Sequence, residues 1–223
     1  MRAQEPLFHA PFDNSFTAHT VSGDLEPAAK QGPYIFEKGA FGNALKVGAP
    51  DSYLLYTAGS GLHGEEGTVS LWIQPEWTAD DGKFHMLWMF LGDGVFNLYK
   101  FGGGENKLNF LVTGRGQPRD QFVIVSTSIA TWEAGGPHHL AATWQAGLLQ
   151  LFVDGERVGE LSDPKLLLPD VRPGDALFIG DYYHPGYGTQ AGLSGNADTL
   201  IRDFRLYGKA LTTAQIAELA GVK

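Results

Sequence analysis

The sequence predicts an all-β fold in which two antiparallel sheets pack face to face, with one short helix at the C-terminus. Thirty glycines and twelve prolines are spread along the whole length, and they punctuate short β-branched and aromatic runs as turns do in a sandwich. Several of those runs alternate apolar and polar residues with period two, and helical periodicity is nearly absent before the C-terminal segment. With 223 residues, the chain can bury one full core, so a single domain over residues 1–223 is expected.

Strands are expected over residues 7–12, 44–47, 53–57, 67–74, 84–91 and 95–101, then over 107–113, 121–127, 138–144, 148–153, 176–180 and 199–207. In the run 148–153, Leu149, Leu151 and Val153 alternate with Gln150 and Phe152, which sets one apolar face against the opposite sheet. Asp154-Gly155 suits the positive backbone angles of a tight hairpin, so residues 156–161 should return antiparallel. At the C-terminus Thr212 can cap a helix over 213–220, with Gln215 placed for the reciprocal capping bond, Gly221 as the stop, and Ile216 and Leu219 facing the sandwich. Around residues 84–90, plain alternation puts His85, Leu87 and Met89 on one face and Met86, Trp88 and Phe90 on the other.

Composition narrows the function. With 43% hydrophobic and 18% charged residues, the chain has the balance of an ordinary soluble protein. A net charge of -9 repels polyanions, so neither nucleic acid nor an anionic membrane surface is an expected partner. There is no cysteine, which removes disulfides, thiolate metal sites and a cysteine nucleophile. The segment Met1-Arg2-Ala3-Gln4-Glu5-Pro6 lacks the apolar core of a secretory signal, and no apolar run is long enough to span a bilayer.

Four segments, in order, resemble the laminin-G-like branch of the concanavalin A-like lectin and glucanase superfamily. They are Phe12-Asp13-Asn14 followed by Ala40 to Leu45, then Gly67 to Pro75 with its Trp72, then His138 to Trp144 with Leu149 to Gly155, and lastly Ile201 to Tyr207 with Ala210-Leu211 and the helix. The resemblance implies a jelly-roll sandwich in which the first and last strands pair. Two departures stand out: Pro137 precedes His138-His139 where the family usually has tryptophan, the nearest being Trp132, and the stretch 181–198 is longer and more aromatic than a plain connector.

What the resemblance implies about sites follows residue by residue. The family often binds calcium where the first and last strands meet, which makes Asp13 and Asp203, with the Asn14 amide and backbone carbonyls, candidate ligands of a structural ion. The alternative is that Asp13 caps a turn and Asp203 forms a hydrogen bond within the sandwich. Glycans lie on the concave sheet in this superfamily, so Trp88, Tyr99 and Arg115 become candidate contacts, against the alternative that Trp88 is core. The aromatic stretch with Tyr182, Tyr183, His184 and Tyr187 offers flat faces for stacking on sugar rings. Trp72, Trp144 and His139 are read as core residues.

An enzyme needs more than this. The Glu-x-Asp-x-x-Glu signature of the jelly-roll glucanases is absent, and the adjacent pairs Glu65-Glu66 and Asp80-Asp81 would diverge on a strand. A polysaccharide lyase needs a carboxylate neutraliser and a proton carrier, types that Arg115, Arg119, Gln117, His85, His184 and Tyr182 supply without matching a lyase motif. No Gly-x-Ser-x-Gly elbow or phosphate loop occurs. The expected function is a non-catalytic, lectin-like carbohydrate-binding module, extracellular or at the cell surface, with a polysaccharide or other glycan as partner. The alternatives are a polysaccharide-degrading jelly-roll enzyme, lyase ahead of glycosidase, and a protein-binding adhesion domain.

Overall fold

The computed structural model describes residues 4–48, 53–57, 62–118, 121–172, 174–180 and 197–222. Five short strands come first: β1 (Phe8–Ala10), β2 (Ala18–Thr20), β3 (Gly23–Leu25), β4 (Ala29–Gln31) and β5 (Ile35–Gly39). Then follow β6 (Gly42–Val47), β7 (Tyr53–Thr57), β8 (Gly67–Pro75), β9 (His85–Gly92), β10 (Gly94–Lys100) and β11 (Lys107–Thr113). The last are β12 (Val123–Ser128), β13 (His138–Gln145), β14 (Leu148–Val153), β15 (Glu156–Ser162), β16 (Ala176–Ile179), β17 (Thr199–Tyr207) and the helix α1 (Thr213–Leu219).

One sheet of ten strands runs β15-β14-β13-β8-β17-β1-β2-β3, with β6 also on β17 and β5 on β6; the other, of seven, runs β12-β11-β10-β9-β16-β7-β4. The expected all-β sandwich is observed. Asp154 and Gly155 have φ of +50° and +86° and join β14 to β15 as their sequence requires. Thr212 and Gln215 form the full capping box of α1, whose Ile216 packs with Phe152 and Tyr207 on the outer side of the larger sheet. Strands β2 to β5 were not expected, because pieces such as Gly23-Asp24-Leu25 are too short and too polar for period two to show.

The core lies between the sheets. Val69, Leu71 and Ile73 of β8 are fully buried and point inward, as alternation dictates. Rings interlock from sheet to sheet: Phe96 of β10 lies 4.6 Å from Trp144 of β13, and Phe8 of β1 meets Tyr56 of β7 edge-on at 5.2 Å. Trp144 is therefore core, as expected, whereas Trp72 is only partly buried, on the outer face against Phe41 and His139.

Two bulges change which residues face inward. In β9 the pairing passes from Trp88 opposite Leu98 to Met86 opposite Tyr99, which leaves Leu87 as an extra residue. Leu87, Trp88 and Phe90 consequently all join the core, while Met86 and Met89 lie on the outer face. Plain alternation fails here, and Trp88 is corrected from a glycan contact to a core residue with no exposed surface. The second bulge falls in β17 between Arg202 and Arg205, where Asp203 takes a φ of +57°.

A buried charge closes one end of the sandwich. Lys100, at the end of β10, is fully buried, and its ammonium donates to Asp81 and, at 2.9 Å, to the Lys83 carbonyl. Asp81 also accepts from His85 at 2.7 Å. Burial alone would raise the Asp81 carboxyl, but Lys100, the Lys83 N–H and His85 together hold it below the usual range. Four rings stack beside it: His85 on Trp77 at 4.8 Å, Trp77 on Trp132 at 6.2 Å, and Trp132 on His138 at 3.9 Å. Trp132 thus covers His138, the first of the two histidines that Pro137 leaves without a preceding tryptophan. Removing one partner from a buried ion pair strands the other, so Asp81→Ala is expected to cost about 3 kcal/mol in urea unfolding. Adding Lys100→Met to that variant should restore most of the loss, and an additive double variant would contradict the pairing.

Candidate functional site

The outer face of the seven-stranded sheet is the surface on which the sequence expected a glycan. Its registers place Phe178, Met89, Asn97 and Leu111 in one row and Met86, Tyr99 and Asn109 in the next. Tyr99 does lie on this face, stacked against Phe84 at 4.7 Å. Only 6% of Tyr99 is exposed, within a second apolar cluster that includes Met86, Met89, Val95 and Phe178, so its ring face is covered rather than offered to a sugar. The amide oxygen of Asn97, buried in the same face, has no hydrogen-bond partner among the described residues.

Arg115 lies elsewhere. It is exposed, in the turn after β11, on a cleft of about 880 Å³ whose lining includes His63, Glu65, Glu66, Leu168, Asp170 and Lys209. Beside the 62–66 turn the cleft is walled by the strap 166–171, pinned by hydrogen bonds from Arg115 N to the Leu168 carbonyl (3.2 Å) and from Asp170 N to the Asp93 carbonyl (2.9 Å). Backbones approach closely here: a Cβ on Gly64 would sit 2.0 Å from the Pro169 carbonyl oxygen, and one on Gly114 would sit 2.5 Å from the Leu167 carbonyl oxygen. The wall is therefore built into the fold, and the sequence reading missed it because a strap held by glycine contacts leaves no periodic pattern.

The cleft mixes donors and acceptors. Lys209 pairs with Glu66, and Asp170 receives the Arg172 guanidinium at 3.1 Å. These two carboxylates are thus already engaged by cations, while Arg115 presents a guanidinium with no carboxylate partner among the described residues. His85, the proton carrier considered with Arg115 for a lyase, is 1% exposed beneath Trp77 and does not reach this cleft.

At the meeting of first and last strands, β1 pairs with β17 as expected, and Asp203 N donates to the Pro11 carbonyl at 3.0 Å. Its carboxylate accepts from His9 Nε2 at 2.6 Å and pairs with Arg205 at 2.7 Å. Burial alone would raise this carboxyl, but the His9 hydrogen bond and the Arg205 charge hold it low. Asp13 is exposed in a bend two residues beyond Pro11. A carboxylate already ion-paired with a guanidinium and accepting a hydrogen bond from an imidazole does not fit a calcium site, which needs several free oxygens. Tyr182, Tyr183, His184 and Tyr187, like Arg119, lie outside the described residues.

His139 is buried, but on the outer face beside Trp72 rather than in the core between the sheets, with Nε2 2.9 Å from Ser70 Oγ and Nδ1 without a partner among the described residues. Burial pushes its pKa down to about 4.

A laminin-G model of the concanavalin A-like lectin/glucanases superfamily matches residues 48–217. The chain belongs to this superfamily. A search of curated proteins finds no match. Among solved structures, domain 4 of a GH43 extracellular arabinanase from Geobacillus stearothermophilus, in complex with arabinotriose, aligns with a TM-score of 0.68 at 17% identity, covering 98% of this chain and 100% of that one. The receptor binding domain of botulinum neurotoxin C/D mosaic serotype aligns with a TM-score of 0.71 at 12% identity, over 97% of this chain and 51% of the other. The serotype D ligand binding domain in complex with N-acetylneuraminic acid gives 0.69 at 12%, over 97% and 50%. The laminin-G-like chain thus spans about half of each toxin domain, and at these identities the likeness is one of fold.

Acid should destabilise the domain in two windows. A histidine held neutral at about 4 when folded, and near 6.5 when unfolded, loses stability as pH falls through that interval, by up to about 3 kcal/mol. Asp81, Asp154 and Asp203, all held low, add a further loss below about pH 4. Urea midpoints between pH 7.5 and 4.5 are expected to fall in the native protein and to fall less in His139→Gln; parallel slopes would count against the assignment.

Proposed function

We propose that this laminin-G-like domain is a non-catalytic carbohydrate-binding module that holds a glycan in the cleft beside Arg115. The carrying observation is the chemistry of that cleft: a guanidinium with no carboxylate partner among the described residues, beside the ion-paired carboxylates Glu66 and Asp170, on a wall whose geometry is set by the backbone. Sugar hydroxyls donate to carboxylates and accept from a guanidinium, so a rim carrying both suits a polyol. Glu66 and Asp170, each held by a cation, suit binding better than hydrolysis, which needs one carboxyl to carry a proton. Supporting the reading, solved relatives of the same fold hold arabinotriose or N-acetylneuraminic acid. The net charge of -9 favours neutral over acidic glycans, and an extracellular polysaccharide is the proposed partner class. The aromatic stretch with Tyr182, Tyr183, His184 and Tyr187 is proposed as a further glycan contact.

Affinity electrophoresis against neutral and acidic polysaccharides tests this. Retardation by at least one neutral polymer is expected, with neither new reducing ends nor unsaturated products. Arg115→Ala should weaken it about tenfold, the worth of one charged hydrogen bond. A panel without retardation, or the appearance of product, would overturn the reading. Unchanged retardation in Tyr182→Ala/Tyr187→Ala would remove the aromatic stretch from the site.

A further inference from the structure

His9 of β1 stands directly opposite His19 of β2, with ring centroids 6.2 Å apart. Each imidazole is tied to a carboxylate through one nitrogen: His9 Nε2 to Asp203 Oδ1 at 2.6 Å, and His19 Nδ1 to Asp24 Oδ1 at 2.8 Å. An ionised carboxylate only accepts, so the tied nitrogen carries the hydrogen. In the neutral ring the lone pair is then left on the other nitrogen, Nδ1 of His9 and Nε2 of His19. A carboxylate that fixes one nitrogen as donor and leaves the other as ligand is the arrangement that orients metal-binding histidines. Two such pairs stand side by side here, and Arg205, paired with Asp203 at 2.7 Å, keeps that carboxylate a support rather than a ligand.

The spacing suits a shared ion. A metal–nitrogen bond of about 2.0–2.1 Å places a ring centre about 3.2 Å from the ion, so two rings on one ion have centroids at most about 6.4 Å apart. The observed 6.2 Å lies within that limit, near its wide-angle end. The side chains are 27% and 58% exposed for His9 and His19, so an ion has access from solvent.

We propose that His9 and His19 form an open site for a divalent transition ion of the zinc, nickel or copper type. Imidazole nitrogen selects these ions over calcium or magnesium. Among the described residues no three His, Asp or Glu side chains are grouped to hold a metal, so the protein supplies two ligands and water fills the rest. The bound ion clips β2 to β1 and, through Asp203, to the bulge of β17.

Titration calorimetry of the tag-free, chelator-treated protein with zinc chloride tests the site, together with the nitrogen hyperfine pattern of one equivalent of copper(II). One ion per chain is expected, with two imidazole nitrogens in the copper spectrum. His19→Gln, at an exposed position, should weaken zinc at least tenfold and leave one nitrogen. Asp24→Asn should weaken it about 10–100-fold, and His63→Gln should change nothing. Absence of binding at submillimolar zinc, or binding and spectra unchanged in His19→Gln, would overturn the site.

Discussion

β17 is hydrogen-bonded to β8 along one edge and to β1 along the other, and it carries β6 as well. The β13–β15 half of the larger sheet and the β1–β3 half are therefore joined through the last strand of the chain. Ile201, Phe204 and Leu206 deliver their side chains from that strand into the core, so the core and the sheet are completed together. Contacts of such sequence separation gain nothing until the intervening chain has closed, which makes this a slowly assembling topology. The left-handed turn at Asp203 is part of the same closure. An aspartate tolerates that conformation at some cost, and here its backbone is held by Pro11 and its carboxylate by His9 and Arg205.

Given that frame, chemistry is pushed to the rims. The faces between the sheets are filled by interlocked rings and aliphatic side chains, and the outer face of the smaller sheet is itself covered around Tyr99. Charged groups are paired inside, as Asp81 and Lys100 are, or gathered at an end, as around Arg115. Strands fix positions well but leave little free surface, whereas the strap 166–171 and the 62–66 turn wall a concave space without belonging to either sheet.

Several features were legible in the residues. The Asp154-Gly155 hairpin, the capping box at Thr212 and Gln215, and the inward set Val69, Leu71 and Ile73 depend on neighbours a few residues apart, so local pattern suffices to read them. The pairing of first and last strands came from the family resemblance rather than from any local signal. Trp88 was misplaced for a definite reason: its face depends on the extra residue Leu87, and that bulge exists only relative to β10. Arg115 lies on a cleft rim rather than on the sheet face that the resemblance implied, and that setting was not legible because His63, Asp170 and Lys209 come from distant turns.

By itself, then, the sequence determined where the chain extends and turns, which runs are apolar enough to be buried, and the negative field that disfavours polyanions. Those properties follow from backbone preference, hydrophobicity and charge, which each residue carries with it. Tertiary structure alone decided that Asp203 meets His9 across 194 positions, that Trp132 covers His138, and that Tyr99 is covered while Arg115 is exposed. A side chain's partners are set by register, bulges and close backbone approach between distant segments, and those exist only once the two sheets have closed on each other.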